Sequence, residues 1–417
     1  MAATAMAAEP PAADYAIALD LRPAASRWSA VVRASNVPCE GPIARLHLHR
    51  DIRITAAFVD GRRVTPVFDP PDAPRFWINA ARSFDLPCPR KSLVLRYDGP
   101  GQLHADGRNQ ISPTLVELSL YGAWYPLAKI DDKIRWRLTT RLPRGWRFAT
   151  PARVKARSGT LTLHSDAPTD IVLIASPLFD EEQVVANGTT VRLLVNRTLP
   201  TEARATALAR ARAAADMTAW AGAKLGKPVT GASLLPTIVF TPRGGSLSYS
   251  RLPLIILREA ELRGDSGDRP PLVNVRHEIA HFWSRAPQAA DWLNEGVAEY
   301  LALHRTGDVD GTAVMDAVLA DYRRQIAAAG PEAPITAGPD ERTFRNTYAR
   351  PALLFDALAR RHGTAAVAQL LAALFALGSE QSVDNLLARV DARFGADERA
   401  TVARCLASRD WSPSCGG

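Results

Sequence analysis

The sequence has no hydrophobic run long enough to cross a membrane. Its most apolar stretch, Val367 to Leu377, is much shorter than the roughly 20 residues that a membrane-spanning helix needs, so it predicts a buried helix. Basic residues outnumber acidic ones, 51 to 43, yet they form no runs interleaved with aromatic residues. A nucleic-acid partner is therefore not expected. The chain also lacks an internal repeat, which argues against a repeat architecture.

Cysteine is scarce, with four in 417 residues. None of them lies in C-x-x-C spacing, so a metal site made of thiolates is not expected. Four cysteines allow three pairings. Because two lie in the N-terminal part and two at the C-terminal end, we favour Cys39–Cys88 together with Cys405–Cys415.

The first eleven residues lack the charged and apolar regions of a complete signal peptide. Ala5-Met6-Ala7 nevertheless has the small-x-small pattern of a signal-peptidase site. Residues 1–14 are therefore interpreted as a signal-peptide remnant or a disordered tail. Together with the cysteine usage, this pattern favours a periplasmic or secreted protein of the bacterial cell envelope.

The segment His277-Glu278-Ile279-Ala280-His281 carries the strongest chemical signal. Glycine and proline are absent from 272 to 285, which favours a helix, and residues four apart share one helical face. His277 and His281 can therefore hold one metal ion, with Glu278 facing a water molecule on that ion. The alternative is a helix that carries two unrelated histidines.

A second helix after residue 291 is predicted to supply the third metal ligand, Glu295, which lies off its apolar face. Three protein ligands and one open position are typical of catalytic zinc, so one Zn²⁺ per chain is expected at His277, His281 and Glu295. Gly296 costs this helix about 1 kcal/mol, and close approach to the facing helix would explain it. Glu299 is interpreted as a carboxylate that orients a ligand imidazole, or else as a solvated helix charge.

The segment 292–298 reads W-L-N-E-G-V-A. With the H-E-x-x-H segment, it resembles the zinc site of the aminopeptidase N family of gluzincin metallopeptidases, whose pattern is W-L-N-E-G-F-A. That family also has a tyrosine in Y-E-K-G-x-A-L-L, and residues 348–354 here read Y-A-R-P-A-L-L. The resemblance implies that Tyr348 is catalytic, and a phenol can donate to an oxyanion without adding charge. Without the resemblance, Tyr348 would be interpreted as a half-buried aromatic at a helix entrance.

The chain departs from the family's pattern where the substrate would bind. The family's G-x-M-E-N glutamate, which binds the substrate's α-amine, corresponds to Ser248, after the predicted substrate-binding residues Gly244, Gly245 and Ser246. A hydroxyl cannot pair with an ammonium group as a carboxylate does, so exo- and endopeptidase specificity both stay open. Glu117 falls where the family has a second amine-anchoring residue, and a surface strand residue is the alternative. The spacing from His281 to Glu295 is also shorter than in the family, and the family's large C-terminal helical domain has no counterpart in the chain.

The chain has a part that is rich in predicted strands and then a part that is rich in predicted helices, and the predicted fold class is α+β. Residues 15–185 are predicted to form an N-terminal β-sandwich or saddle domain because short strands alternate with turn signals such as Asp60-Gly61. Residues 186–417 are predicted to form a mostly helical, thermolysin-like zinc metallopeptidase domain with a small sheet, including a helix from Thr201 to Leu225. Asp98-Gly99-Pro100-Gly101 is predicted to be a loop. The predicted strands of the first domain are Tyr15–Leu21, Trp28–Ala34, Arg45–His49, Ile54–Val59, Ser92–Tyr97, Arg135–Arg141, Leu161–His164 and Asp170–Ala175.

The expected function is zinc-dependent hydrolysis of peptide bonds in a peptide or protein substrate. Zinc is expected to lower the pKa of a water molecule, and Glu278 is expected to take the proton of that water as it attacks. Tyr348 is expected to stabilise the oxyanion. The alternative, from another class of protein, is a non-catalytic envelope binding protein with a vestigial zinc site.

Overall fold

The computed structural model describes residues 12–70, 81–104, 107–128, 134–228, 235–243, 248–263, 270–284, 286, 290–412 and 415–416, apart from the side chains at 166–168, 271, 339 and 379. Two compact units divide the chain. The first unit comprises residues up to 180 with 195–198 and 241–247, and the second comprises the others. The predicted domain boundary between 185 and 186 stays a prediction.

Three β-sheets build the first unit. The largest has eight strands in the order β13-β14-β11-β1-β2-β8-β4-β5, and the other two have the orders β12-β15-β10-β9 and β3-β7-β6. The strands are β1 Asp14–Arg22, β2 Arg27–Ser35, β3 Ile43–His49, β4 Arg53–Val59, β5 Arg62–Val64, β6 Val67–Phe68, β7 Ala81–Pro87, β8 Leu93–Pro100, β9 Gln110–Ile111, β10 Val116–Leu118, β11 Ile134–Arg141, β12 Arg147–Ala149, β13 Arg153–Arg157, β14 Thr160–Thr169 and β15 Leu173–Ser176.

Side chains alternate between the core and the surface along these strands. In β11, Trp136 and Leu138 are buried while Arg135 and Arg137 are exposed, because successive side chains of a strand point to opposite faces. One hydrophobic cluster joins the inward faces of all three sheets. The predicted strands are confirmed, although the last one starts only at Leu173.

The turn at Asp60-Gly61 is confirmed, and the loop predicted at Asp98–Gly101 is wrong. Asp60 and Gly61 both have positive φ, 49° and 80°, as a two-residue turn between β4 and β5 requires. By contrast, β8 continues to Pro100. Gly99 lies there because a Cβ would come 2.5 Å from the Trp28 indole, and that indole donates to the Pro100 carbonyl oxygen (2.9 Å).

A five-stranded sheet and a set of helices form the rest of the described chain. The sheet has the order β16-β17-β18-β20-β19. Its strands are β16 Phe179–Ala186, β17 Thr189–Asn196, β18 Thr237–Thr241, β19 Tyr249–Arg251 and β20 Leu254–Arg258. The helices are α1 Thr201–Leu225, α2 Pro271–Ala280, α3 Asp291–Asp310, α4 Thr312–Ala329, α5 Arg350–His362, α6 Thr364–Phe375, α7 Val383–Phe394 and α8 Ala396–Ala407.

The helix predictions outside the metal motif are confirmed. Helix α1 has the predicted bounds, and α6 covers most of the stretch from Val367 that was expected to be buried. Among the helices described, none combines the length and the apolar character that crossing a bilayer requires. This sequence-based expectation holds for the described residues.

Both favoured disulfides are confirmed. Cys39 pairs with Cys88, with 5.8 Å between their Cα atoms, and Cys405 pairs with Cys415, with 5.6 Å between theirs. Both separations lie in the usual range for a disulfide. The first bridge closes a loop within the β-sheet unit, and the second fixes the end of the chain to α8.

Candidate metal centre

Two antiparallel helices, α2 and α3, hold the predicted metal ligands. The buried Arg276 of α2 donates from Nη1 to Thr306 Oγ1 (2.8 Å) and to Asp310 Oδ2 (2.6 Å) near the end of α3. At the opposite end of the pair, Ser284 Oγ donates to Asn294 Oδ1 (2.7 Å). Hydrogen bonds at both ends therefore fix the register in which one helix faces the other.

Helix α2 ends at Ala280, so the predicted helix at the motif is confirmed up to the residue before His281. The Trp283 amide bonds to the Ala280 carbonyl oxygen three residues back (3.1 Å), which tightens the last turn. The Trp283 indole donates to the Gly226 carbonyl oxygen (2.8 Å). His281 keeps helical torsion angles (φ −58°, ψ −15°), so its imidazole stays on the face of His277.

The two imidazoles and the Glu295 carboxylate converge on one point. His277 Nε2 lies 3.1 Å from Glu295 Oε2 and 3.1 Å from His281 Nε2, and His281 Nε2 lies 3.4 Å from the same oxygen. Tetrahedral zinc with bonds of about 2.0–2.2 Å separates its ligand atoms by roughly 3.3–3.6 Å. The three atoms are therefore spaced nearly as they would be around a zinc ion, and they form a group suited to hold a metal.

Glu299 lies against His277. The carboxylate is fully buried, so the interpretation of Glu299 as a solvated charge is wrong. Its Oε2 lies 2.8 Å from His277 Nδ1. A carboxylate at this distance favours the imidazole tautomer that has its proton on Nδ1, and that tautomer leaves the lone pair of Nε2 free to bind a metal ion.

The electrostatic surroundings keep Glu295 ionised. Burial raises its pKa, but His281 and His277 outweigh this effect and hold the pKa well below its usual range. A carboxylate must be deprotonated to bind a metal ion. Glu295 is therefore in its ligand form at neutral pH.

Asn294 closes the shortened connection between the two helices. Its Oδ1 accepts from the Ala286 amide (2.9 Å), and its Nδ2 donates to the Ala286 carbonyl oxygen (3.0 Å). Asn294 directly precedes Glu295, so these bonds also hold the start of α3 against the end of the connection. In the sequence, Asn294 stood out only as part of the W-L-N-E-G-V-A segment that resembles the aminopeptidase N family. Its side-chain amide can both donate and accept hydrogen bonds, and this property was the signal for a residue that ties the connection to α3.

Gly296 lets the Tyr348 segment approach α3. A Cβ at Gly296 would lie 2.9 Å from Pro351 Cγ and 3.3 Å from the Thr347 carbonyl oxygen. At this glycine, close approach was expected to the helix that carries the histidines, but the close neighbour is the start of α5. Residues 345–349 form a π-helical turn before α5, a conformation that is frequent at functional sites.

Tyr348 stacks directly on the predicted metal ligand His277. Further aromatic contacts, which the sequence did not predict, link Tyr348 to Glu299. Its ring stacks on the His277 imidazole, with 5.7 Å between centroids, and on Phe344, with 5.2 Å. Phe344 meets Tyr322 of α4 edge to face at 5.5 Å, and the Tyr322 hydroxyl donates to Glu299 Oε1. Because Glu299 contacts His277, the contacts form a closed circuit around the site.

Glu278 is placed beside the metal ligands on α2 and is 6% exposed. Within the described part of the chain, no hydrogen bond or ion pair engages its carboxylate. This differs from Glu295 and Glu299, which both contact histidines.

Of the residues predicted to bind the substrate, Glu117 lies within the described residues. Gly244, Gly245 and Ser246 lie outside the described residues. Ser248 Oγ donates to the buried Glu261 carboxylate (2.8 Å). Glu117 is fully buried and accepts from Arg243 Nη1 at 3.0 Å, so its interpretation as a surface strand residue is wrong.

No family model and no curated protein matches the chain, but solved structures do. A mutant M1 zinc metallopeptidase from Deinococcus radiodurans, bound to a Tyr-Ser-Ala substrate, matches with 21% identity and a TM-score of 0.67 over 96% of this chain and 94% of that chain. The M1 zinc metallopeptidase from the same organism matches with 20% identity and the same TM-score and coverage. A mutant two-domain M1 zinc metallopeptidase bound to L-tryptophan has 21% identity, a TM-score of 0.66 and coverage of 97% and 96%.

These matches define the class of fold. Over nearly its whole length, the chain has the fold of the M1 zinc metallopeptidases, in which a multi-sheet N-terminal part precedes a mostly helical part. The predicted fold class and the resemblance to the aminopeptidase N family are confirmed at the level of the fold.

Proposed function

We propose that this chain is a zinc-dependent peptidase of the aminopeptidase N type. The observation that carries the proposal is the convergence of His277 Nε2, His281 Nε2 and Glu295 Oε2 at 3.1–3.4 Å from one another. Two nitrogens and one carboxylate oxygen, with room for a fourth ligand, are the donor set of catalytic zinc. We infer one zinc ion per chain at this position.

The fit of the donor set to zinc is supported by the protonation states of its members. The Glu299 carboxylate beside Nδ1 favours the His277 tautomer with its proton on Nδ1, and the pKa of Glu295 lies well below its usual range, so both residues can present lone pairs to a cation at the shared point. When bound, zinc would supply Lewis acidity and lower the pKa of a water molecule toward about 7. The chain itself must supply the proton transfers and the positioning of the substrate.

Glu278 is the proposed general base. Its carboxylate takes the proton from the water as the water attacks the peptide carbonyl, and it then passes this proton to the leaving amine. The proposed role is supported by its burial beside His277 and by the lack of another partner among the described residues. The phenol of Tyr348, stacked on His277, is the proposed donor to the oxyanion.

The proposed substrate is a peptide, and cleavage within the chain is the proposed specificity. An aminopeptidase needs an anionic group to bind the free α-amine. Ser248 has no charge, and its hydroxyl is bonded to Glu261, which is itself paired with Arg210 at 2.8 Å. Glu117 is paired with Arg243. The candidate anchors are therefore neutral or already neutralised.

A periplasmic or secreted location is proposed. The two disulfides support it, because such bonds persist in oxidising compartments and are rare in the cytosol. Tryptic mapping by mass spectrometry of protein taken from cells would test this proposal. Recovery of both bridges supports it, whereas four free thiols contradict it.

The decisive variant is Glu278→Gln, which keeps the size of the side chain and removes its basicity. We expect unchanged zinc content and loss of peptide hydrolysis by at least about 100-fold, in the range of general acid–base contributions. Incubation with a mixed peptide library shows where the wild type cuts. Internal cuts support the proposed specificity, terminal trimming indicates an aminopeptidase, and zinc-loaded protein without any cleavage refutes the proposed peptidase.

Tyr348→Phe separates oxyanion stabilisation from metal binding. Loss of one such donor typically reduces kcat by about 100- to 1000-fold, and zinc content should not change. If kcat is the same as in the wild type, the hydroxyl of Tyr348 has no part in the reaction.

A further inference from the structure

The outer face of the eight-stranded sheet carries a row of cations in register. Hydrogen-bonded pairing aligns Arg153 of β13 with His164 of β14, His164 with Arg137 of β11, Arg137 with Ala16 of β1, and Ala16 with Arg33 of β2. The three arginines are exposed. The row therefore crosses five neighbouring strands and has an arginine on every second strand.

Other basic side chains flank this row on the same face. Lys155 and Arg157 follow Arg153 on β13 at period two, Arg141 lies on β11 in line with Arg157, and Arg96 lies on β8 opposite Val31. All four are exposed. We use the name basic face for the surface made by Arg33, Arg96, Arg137, Arg141, Arg153, Lys155 and Arg157.

The acidic residues of this surface do not neutralise the basic face. Asp14 binds Arg135 (2.8 Å), Asp20 binds Arg22 (2.8 Å) and Asp98 binds Arg53 (2.9 Å). Among the described residues, these carboxylates thus pair with arginines that are not members of the basic face. Six members have no ion pair with a described residue: Arg33, Arg96, Arg137, Arg141, Lys155 and Arg157. A strong positive potential results.

A shallow depression on the β-sheet unit is lined by Ala16, Arg33, Arg137 and His164, and also by the ion pair of Asp14 with Arg135. Because the residue between the two arginines is an alanine, the guanidinium groups of Arg33 and Arg137 can both reach a group that lies over β1. The arginine fork binds carboxylate or phosphate oxygens in pairs.

The spacing of the cations favours a regular anionic chain as the ligand. Neighbouring strands are about 4.8 Å apart, so arginines on every second strand recur at roughly 10 Å. Stacking of nucleic-acid bases needs aromatic rings. Among the described residues, the register places Phe58 of β4 on this face, but its ring is half-buried and lies two strands beyond Arg33. A protein interface needs apolar anchors at its centre, and the described apolar residues of β1, β2 and β8 on this face are Ala16, Ala18, Val31 and Val94. A twisted sheet also fits a linear chain better than a planar bilayer.

We propose that the basic face binds an acidic polysaccharide, whose repeated carboxylates or phosphates meet Arg137 and Arg33 across the strands. The inference is independent of the proposed peptidase activity, because it rests on the β-sheet unit alone. Binding should weaken as salt is added, since exposed charges are screened.

The test uses fluorescently labelled alginate fragments as the probe and the full-length protein, with binding measured by anisotropy at low salt. The variant Arg33→Gln/Arg137→Gln should bind about 25-fold more weakly, from roughly a fivefold contribution of each cation that faces an anionic surface. The matched control is Arg212→Gln/Lys224→Gln, which removes two exposed charges from α1 and should bind within about twofold of the wild type.

A second variant, Arg96→Gln/Lys155→Gln, serves if the first one fails to fold, and it should also bind more weakly. Neutral dextran of equal length should not bind. The proposal is overturned if the wild type does not bind alginate, or if the control variant loses as much affinity as the basic-face variant. It is also overturned if single-stranded DNA or phosphatidylglycerol vesicles bind more tightly than alginate, because the partner is then of another class.

Discussion

A single methyl group at Gly296 tests the packing behind the metal ligands. A Cβ there would overlap with Pro351 Cβ and lie 2.9 Å from Pro351 Cγ, whereas carbon atoms in contact are about 3.5–4.0 Å apart. Helix α3 and the start of α5 would have to separate by more than about 1 Å. Overpacking of this kind costs about 1–3 kcal/mol, more than the 0.5–1 kcal/mol that alanine gains over glycine in a helix. We expect Gly296→Ala to lower the free energy of unfolding by about 1–2 kcal/mol.

The same displacement should weaken zinc binding. Gly296 follows Glu295 directly, and the neighbouring Thr347 carbonyl oxygen precedes Tyr348. Metal–ligand distances can deviate from their ideal values by only about 0.2 Å. A shift of roughly 1 Å in the helix that carries Glu295, or in the segment that carries Tyr348, would therefore distort the site. We expect a lower zinc affinity in a competition titration with a chelator.

The control is Gly222→Ala in α1, because a Cβ at Gly222 would meet nothing within 4 Å. It should raise stability by about 0.5–1 kcal/mol. Thermal unfolding of both variants gives the comparison, with a shift of roughly 2–4 °C per kcal/mol. The reasoning is refuted if Gly296→Ala melts at or above the wild-type temperature and binds zinc equally well.

Two further predictions concern residues that support the site. Tyr322→Phe removes the hydrogen bond to Glu299 and should weaken zinc binding by about tenfold, at the lower end for outer-shell partners; an unchanged chelator titration would contradict this. Burial raises the pKa of Asp216, but Arg305 outweighs this effect and the pKa lies below its usual value. The stability from this pair is therefore complete above the unfolded-state pKa of about 3.9 and is lost as pH falls through the lower native value. In acid urea titrations, Asp216→Asn should lose part of this pH dependence, and a variant with the wild-type pH profile would contradict the assignment.

The spacing of residues predicted correctly which side chains share a face of one helix. It did not predict features that depend on contacts between residues far apart in the sequence. His277 and His281 share a face because they are four residues apart, and α1 has regular signals at both ends. By contrast, β13 alternates basic with small or apolar residues over only five positions, all of them exposed, and it was not among the predicted strands. Gly99 reads as a turn residue in isolation, although it lies in β8 because the Trp28 indole covers it.

In the candidate site too, local features were predictable from the sequence and long-range contacts were not. The residue types and spacing of the ligands were visible in the sequence, as was the resemblance that points to Tyr348. Tyr322 was not, because its contact with Glu299 joins residues 23 positions apart on different helices. The hydrogen bond from the Trp283 indole to the Gly226 carbonyl oxygen, just beyond the end of α2, joins residues 57 positions apart. Local propensity contains no information about such bonds.

The most direct test of the proposed function is a crystal structure of zinc-loaded protein with anomalous diffraction measured at the zinc absorption edge. We predict one strong peak per chain, about 2.0–2.2 Å from His277 Nε2, His281 Nε2 and a carboxylate oxygen of Glu295. A peak elsewhere, or a Glu295 carboxylate turned away from the two imidazoles, would contradict the proposed metal centre and the peptidase chemistry that depends on it.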